Sequence, residues 1–363
     1  MTAISVDTVV AGAGPAGATV ALCLARRGSS VALVDPFIEV GVRVGETLPP
    51  IIRERLTRLG VWERFAAAGH RPAYAIRSAW GSAAPADQDH IFHPYGNGWH
   101  VDRRAFDRML VEAAEEAGAL LIRATVGEAS RSGDEWTIEA GGLALRARHL
   151  VDATGRAARI GRRLGARRLA LDRLVGVVAS VSPRSTTAVG DGVTIVEAVR
   201  DGWWYSARTP DDHLLIAYMT DADLWARAAR RGDALAAQIE RAPLTRARLR
   251  RALEIPVRVV AAASAQLLPA SGPGWLAAGD AAMAVDPLCG NGVCLALESG
   301  MRTATTILAE REGAQGASDD YAAEVARSFS KYTAGWHWFY GCERRFSSSE
   351  FWRRRSIPTD SMA

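Results

Sequence analysis

The order of apolar and polar positions divides the chain into three stretches. In the first, Thr8 to Val10 form a short buried strand. A helix carrying Val20, Leu22, Cys23 and Leu24 follows, and Gly28 ends it before a second apolar strand, Val31 to Val34. Apolar residues at Ile52, Leu56, Leu59, Trp62 and Phe65 recur with a helical period that Gly60 interrupts. Arg103 to Ala117 reads as an amphipathic helix with Phe106, Met109, Leu110, Ala113 and Ala117 inward, and "ALLIRATV" as a strand. "EWTIEAGGLALRARHLVDATG" predicts a hairpin around Gly141 and Gly142.

From Leu174 to Met219 the pattern changes. "LVGVVASV", "GVTIVEAV", "GWWYSAR" and "HLLIAYM" are short strands separated by Gly, Asp and Pro, which predicts an antiparallel sheet. Three short helices lie between about Asp221 and Leu253, and "VRVVAAASAQLL" reads as one long returning strand. A small strand, Trp275 to Ala278, precedes a helix from about Val293, and Ser318 to Arg355 is helical and aromatic. The fold class is therefore α/β. A Rossmann-like dinucleotide-binding domain is expected over residues 1–73, 100–165 and 265–315, with an inserted antiparallel β-sheet substrate domain over 74–99 and 166–264. Residues 316–363 form a C-terminal helical segment, and no internal repeat is visible.

Between the first strand and helix stand Gly12, Gly14 and Gly17, with Pro15 suited to the first helical turn. The three glycines differ in what they permit. Gly12 makes the tight turn, Gly14 lets the backbone approach a pyrophosphate, and Gly17 lets helix and strand pack closely. Uncapped N–H groups at a helix start attract phosphate. Asp35, at the end of the next strand, suits a ribose hydroxyl. The second glycine-bearing stretch, "GDAAMAVDPLCGNGVCLALESG" (Gly279 to Gly300), decides between NAD and FAD. Asp280 falls at the carboxyl edge of a parallel sheet, where ligands bind. The helix that "DPLCGNG" opens could aim its positive end at a flavin ring, stabilising charge gained at N1 and the C2 carbonyl on reduction. An NAD dehydrogenase needs no such second mouth.

Composition adds exclusions. Of the 363 residues 48% are hydrophobic and 23% charged, the balance of an ordinary soluble globular protein. The net charge of +4 comes with no basic run long enough for nucleic acid, and Lys331 is the sole lysine. A GC-rich genome accounts for the arginine bias; a face for an acidic carrier protein or an anionic substrate is the alternative. Cys23, Cys289, Cys294 and Cys342 show no metal or disulfide spacing, so no metal is expected. No signal peptide and no membrane span of about 20 apolar residues are read, so a cytoplasmic location is expected.

"GAGPAG", "DATG" (Asp152 to Gly155) and "GDAAMAVDP" together resemble the FAD-dependent monooxygenases of the para-hydroxybenzoate hydroxylase type and the related flavin-dependent halogenases. "GETLPP", "RSAWGS", "GNGWHVDRRAFDRML", "GWWYSARTP" and "FWRRR" narrow the resemblance to the halogenase-related branch that holds the flavoprotein maturases of quinone-bearing amine and lysine oxidases. The resemblance implies FAD, with Asp280 at its phosphate–ribityl region, Arg103 on the cofactor's other side, and Pro287 to Gly292 bordering the isoalloxazine ring. The expected cofactor contacts are Gly12, Gly14, Pro15, Ala16, Gly17, Asp35, Arg43, Arg103, Val126, Gly155, Asp280, Pro287, Gly290, Asn291 and Gly292. It also implies a monooxygenase that hydroxylates an electron-rich aromatic substrate with O2 through a C4a-hydroperoxyflavin. Electrons come from NAD(P)H, directly or as reduced flavin from a flavin reductase partner. The substrate is a natural-product intermediate, free or on a carrier protein, or a Trp or Tyr side chain in a peptide.

Candidate catalytic residues are Glu46, Arg77 and His100. Glu46, in "GETLP", could bond substrate or flavin, or serve as a loop ion pair. Arg77 occupies the place where the halogenases carry their functional lysine, and arginine does not form a chloramine-like adduct in the same way. His100, like His93 and His337, could act as general base on a phenol or an indole N–H, or simply be packed. Trp80, Trp99, Trp203 and Trp204 are expected near the flavin–substrate boundary, or as core filling. The alternatives are a halogenase, a flavin-dependent reductase or dehydrogenase on the same fold, and a flavin-free binding protein, which would be colourless.

Overall fold

The computed structural model describes residues 3–37, 46–230, 234–250 and 256–356. The first strand, β1 (Ile4–Ala11), leads through the glycine turn into α1 (Pro15–Arg26) and β2 (Val31–Val34). Short elements follow: β3 (Thr47–Leu48), α2 (Ile52–Arg58), α3 (Trp62–Ala67), β4 (Arg71–Ala73), β5 (Ala75–Ala79), β6 (Ala86–Asp89) and β7 (Gly98–His100). Helix α4 (Arg103–Glu116), capped by the Asp102 carboxylate on the Arg104 and Ala105 N–H groups, precedes β8 (Leu120–Ile122), β9 (Val126–Ser132), β10 (Glu135–Ala140) and β11 (Leu143–Asp152). The expected hairpin joins β10 to β11, with Gly141 and Gly142 at φ 60° and 82°, as a primed turn requires.

Strands β1, β2, β8 and β11 are parallel, in register Val10↔Leu33 and Val10↔Val151. They continue into the later strand β20 (Trp275–Ala277), and β9 and β10 complete an eight-stranded sheet with one more edge strand. Its interior is nearly all small and aliphatic: Val9, Val10, Ala32, Leu33, Leu150 and Val151 are buried. Both faces of a parallel sheet must be covered, which is why these strands are continuously apolar.

After α5 (Arg159–Arg163) and β12 (Arg167–Ala170) come β13 (Leu174–Val181), β14 (Val193–Val199), β15 (Gly202–Arg208) and β16 (Leu214–Asp221). Three helices follow, α6 (Ala222–Ala229), α7 (Ala234–Ile239) and α8 (Pro243–Ala247), then β17 (Arg258–Ala261) and β18 (Ala265–Leu268). The sheet holds seven strands in the order β17-β13-β16-β15-β14-β5-β6, antiparallel except β14 with β5. Strict alternation gives it two apolar faces. The inner carries Val178, Ala198, Trp203, Ala217 and Met219; the outer carries Val177, Ala179, Trp204, Ile216 and Tyr218. Neighbouring Trp203 and Trp204 thus face opposite ways. Trp204 stacks on Tyr218 on the outer face, and Trp99 packs on Trp62 and Phe65 in the other domain's core, so of the four tryptophans expected near the flavin Trp80 and Trp203 alone join the inner aromatic cluster.

The long strand expected from "VRVVAAASAQLL" is broken in two. β17 closes the seven-stranded sheet, whereas β18 pairs with β12 and with β21 (Met283–Ala284). The break falls where Ser264 turns its backbone N–H to the Asp172 carboxylate (3.2 Å) and its hydroxyl to Tyr332 (2.7 Å). Side-chain bonds there replace the ladder.

Strands β19 (Ser271–Gly272) and β20 (Trp275–Ala277) return to the first sheet, and α9 (Gly292–Arg311) packs beside α1. Helices α10 (Ala317–Gly341) and α11 (Glu350–Arg353) then lay Trp336, Tyr340, Phe351 and Trp352 on the inner face of the second sheet. Arg355 fastens this segment: its guanidinium meets the Asp221 carboxylate at 2.6 Å and lies 3.7 Å from the Phe351 ring centre, all buried. Among the described residues no helix is long and apolar enough to cross a membrane.

Candidate functional site

The first helix mouth shows why glycine is needed. Gly12 sits at φ 106°, and a Cβ there would lie 2.3 Å from the Ala153 carbonyl oxygen. One at Gly17 would lie 1.9 Å from the Gly12 oxygen, so helix and turn touch directly. At Gly14 the reason differs: a Cβ would meet no protein atom within 4 Å, and Gly14 offers α1 no side-chain cap. The space over Gly14 is open and the N–H groups behind it are uncommitted by side chains, as an anion needs. Asp35 is fixed by accepting the N–H of Ala13 (2.9 Å) and of Phe37 (2.7 Å).

Gly12, Gly14, Asp35, Val126 and Gly155 line one cleft of about 330 Å³, with Thr125, Thr154 and Arg159. Asp152 shapes its floor: one carboxylate oxygen takes the Thr154 N–H and hydroxyl (2.9 and 2.6 Å), the other the Gly161 N–H (2.8 Å). Thr125 and Arg159 have no motif of their own; only the place of β9 in the sheet and of α5 after β11 brings them here.

The second mouth adjoins the first. A Cβ at Gly279 would stand 2.6 Å from the Ala16 Cβ, and one at Gly300 of α9 2.6 Å from the Ala16 oxygen. The start of α1 therefore packs against α9 at Gly300, about two turns past the α9 start, and the Gly279 turn lies between Ala16 and Ala296 of the first turns of the two helices. Half-exposed Asp280 meets Arg156 at 3.3 Å, and Arg156 also donates to the carbonyls of Ala263 (2.7 Å) and Val285 (2.8 Å). Arg168 reaches the Asp280 carbonyl (3.2 Å). These two arginines brace the loop, and no motif in the sequence singles out either.

Past the loop, Pro287, Cys289 and Gly290 are exposed. Gly290 and Gly292 face open space. The Oδ1 of Asn291 is buried without a hydrogen-bond partner among the described residues. An uncapped helix start beside an unused acceptor suits a ring that carries both N–H and carbonyl groups. The loop is pinned from behind by Asp286, fully buried, whose carboxylate accepts the Tyr340 hydroxyl (2.8 Å), the Trp336 indole N–H (3.0 Å) and the Leu288 N–H (2.8 Å). The Trp203 indole in turn donates to the Tyr340 oxygen (3.0 Å). Burial raises the Asp286 pKa above the ordinary carboxylate value.

The three candidate catalytic residues separate. Glu46 and His100 are both buried on neighbouring strands: Thr47 pairs with His100 across β3–β7, and the Glu46 carbonyl accepts the Val101 N–H (2.7 Å). From His100 a polar chain runs through Thr194 (3.0 Å) and Thr47 (3.2 Å) to the Tyr205 hydroxyl (2.6 Å). Burial, helped by Arg248 and Arg71, pushes His100 down to about 3, so its ring is neutral at ordinary pH. Burial, and then the Glu46 charge, raise Tyr205, which stays a phenol. Arg77 is not with them. It pairs with Asp87 through two bonds of 2.7 Å, and alternation along β5 puts it on the outer face with Ile195, opposite Ser78, Val196 and Tyr205. Arg103 opens α4 with its guanidinium on Asp107 (3.2 Å), and Arg43 lies outside the described residues.

Open glycines at two helix starts on either side of the Gly279 turn, an acid at the second strand and an unused acceptor at the far mouth fit FAD: Gly12, Gly14 and Asp35 would hold its adenosine diphosphate, and Asp280 and Asn291 its flavin half. Such a site defines a flavin-dinucleotide oxidoreductase. Residues 5–333 match the family model described as FAD binding domain, and the chain belongs to this family.

It is 26% identical over 371 residues to LodB of Marinomonas mediterranea, named as an FAD-dependent oxidoreductase, covering 97% of each chain. The myxobacterial chondrochloren halogenase CndH has the same fold, with a TM-score of 0.86 at 24% identity over 98% of this chain and 87% of that one. The peptidyl tryptophan dihydroxylase QhpG matches with a TM-score of 0.74 at 26% identity over 99% of this chain and 80% of that one. The protein is an FAD-dependent oxidoreductase enzyme of the halogenase-related monooxygenase branch.

Proposed function

We propose that the chain is an FAD-dependent monooxygenase that hydroxylates an electron-rich aromatic substrate, with NAD(P)H, directly or through a flavin reductase, as electron source. Bound FAD, once reduced, would activate dioxygen, of which one atom enters the product and the other leaves as water. The chain's own residues supply the rest. On the inner face, Ile76, Ser78, Val196 and Tyr205 are only half-buried, although α10 and α11 reach the far ends of β14 and β5, where the Trp352 indole donates to the Val199 carbonyl (3.0 Å) and Phe339 packs on Trp80. That leaves a part-apolar wall for an aromatic ring, packed against the same cluster as Leu288 of the flavin loop. The Tyr205–Thr47–Thr194–His100 chain gives the wall one polar end, where a substrate hydroxyl or indole N–H is held by hydrogen bonding.

The observation that carries hydroxylation over halogenation is the placing of the cations. Lys331, the sole lysine, is exposed on α10, and Arg77 points to the opposite side of the sheet. Neither offers an amine in the chamber to carry an oxidised halogen. The likeness to QhpG supports a tryptophan in a peptide as the substrate.

The test is incubation of the FAD-loaded enzyme with NADH, a flavin reductase, labelled dioxygen and bromide, on phenols, indoles and tryptophan-containing peptides. Mass spectrometry should find one labelled oxygen atom per hydroxylation and no bromine. A brominated product, or saturation of a double bond without oxygen, would overturn the proposal.

A further inference from the structure

The outer face of the seven-stranded sheet carries a second cleft of about 400 Å³, formed by β16, α6, α7 and the start of α11. It is separate from the flavin site. Tyr218 and Thr220 on its floor alternate along β16 with Ala217 and Met219, which face inward. One wall is apolar and aromatic: Tyr218 and Trp225 stand edge to face with ring centres 6.4 Å apart, with Leu224 beside them. Trp225 is half-buried, so part of its ring stays open to the cleft.

The polar lining is divided between spent and unspent groups. Arg227 and Glu350 neutralise one another at 2.6 Å. Arg241, by contrast, makes no ion pair among the described residues, and it stands close enough to Tyr218 to oppose the rise that burial imposes on that hydroxyl. Asp201 gives one carboxylate oxygen to the Ser349 hydroxyl (3.0 Å), and its other has no partner among the described residues. Gln238 is only 9% exposed, yet its Oε1 is buried and unpartnered among the described residues. A buried acceptor left unsatisfied is costly unless a ligand or water completes it.

An aromatic wall, one free cation, one half-free anion and an unused acceptor form a complementary set among the described residues. We propose that this cleft binds a free aromatic amino acid whose ring carries an N–H or O–H. Its carboxylate meets Arg241, its ammonium Asp201, its ring the Trp225 wall, and its ring donor Gln238. An aromatic acid would leave Asp201 unmatched, and an aromatic amine would leave Arg241 so. The site does not depend on which reaction the flavin performs.

The test uses the full chain with its flavin and L-tryptophan as probe, by titration calorimetry. Indolepropionate lacks the ammonium, tryptamine the carboxylate, and indole both. Tryptophan should saturate one site per chain, more tightly than all three, without changing the visible flavin spectrum. Arg241→Ala should weaken tryptophan and indolepropionate about tenfold or more, leaving tryptamine alone. Asp201→Asn should weaken tryptophan and tryptamine but not indolepropionate. Arg241 is exposed, and unchanged circular dichroism will show that its variant folds. Absence of saturation, equal binding of indole, or binding that ignores both substitutions would overturn the proposal.

Discussion

Replacing Gly14 with alanine separates a glycine kept for a ligand from one kept for the fold. Its backbone, at φ −69° and ψ 179°, is open to any residue, and the new methyl would touch no protein atom within 4 Å. Two small terms oppose each other in the apoprotein. Lower entropy of the unfolded chain stabilises by about 0.4–1 kcal/mol, and exchanging glycine for alanine at an N-cap costs about as much. Apo stability should therefore stay within about 1 kcal/mol of the parent in urea titration.

Flavin binding should not survive so well. The methyl fills the space through which a diphosphate reaches the α1 N–H groups, and losing a charge-assisted hydrogen bond there costs about 1.5–3 kcal/mol, roughly a 10- to 150-fold rise in FAD Kd. The assays are flavin content after desalting and fluorescence titration of the apoprotein. Gly12→Ala is the contrast, because its Cβ would strike the Ala153 carbonyl at 2.3 Å and the fold itself should fail. A Gly14→Ala protein that binds FAD as tightly as the parent would refute the assignment of this mouth to the diphosphate.

Other outcomes follow from the same geometry. Arg77→Ala should change stability by less than about 1 kcal/mol and leave turnover intact, since its partner Asp87 is exposed too; a tenfold fall in kcat would place Arg77 back in the chemistry. Asp286→Ala leaves the Tyr340 hydroxyl and the Trp336 N–H unpaired in the core, at a cost of about 2–6 kcal/mol. Denaturant unfolding should register that loss, and limited proteolysis should show the C-terminal helices released. His100, with a folded pKa of about 3 against an ordinary 6.5, binds its proton first in the unfolded chain. Its contribution is whole above pH 6.5 and is lost on acidification toward 3, at up to about 1.4 kcal/mol per pH unit. His100→Asn should flatten the dependence by that amount over this window; an unchanged slope would mean that the ring is not held neutral.

The glycine turn, its flanking strands and the acid at Asp35 were legible because each rests on local rules: period, helix start and a turn that only glycine makes. The four strands from Leu174 to Met219 were legible by alternation, and the β10–β11 hairpin by its two glycines. What failed was long-range. Whether Trp203 or Trp204 faces the flavin depends on register with β14 and β16, since a shift of one residue exchanges the faces. Arg77 was placed by its position in a motif, yet the parallel pairing of β5 with β14 turns it outward. "VRVVAAASAQLL" is apolar apart from Arg258, Ser264 and Gln266, and nothing local marks Ser264 as the point where two sheets part company. Arg156, Arg168 and Arg159 were hidden among many arginines; only the convergence of β11, β18 and the Asp280 turn singles them out.

The starts of α1 and α9 must share one FAD if the flavin chemistry is to follow from this fold. Crystallography of the purified, yellow protein tests this most directly. Continuous density is expected, with the diphosphate over Gly14 and the tricyclic ring against Pro287 to Gly292. A flavin whose ring lies elsewhere, or density for an unrelated ligand at either helix start, would contradict it.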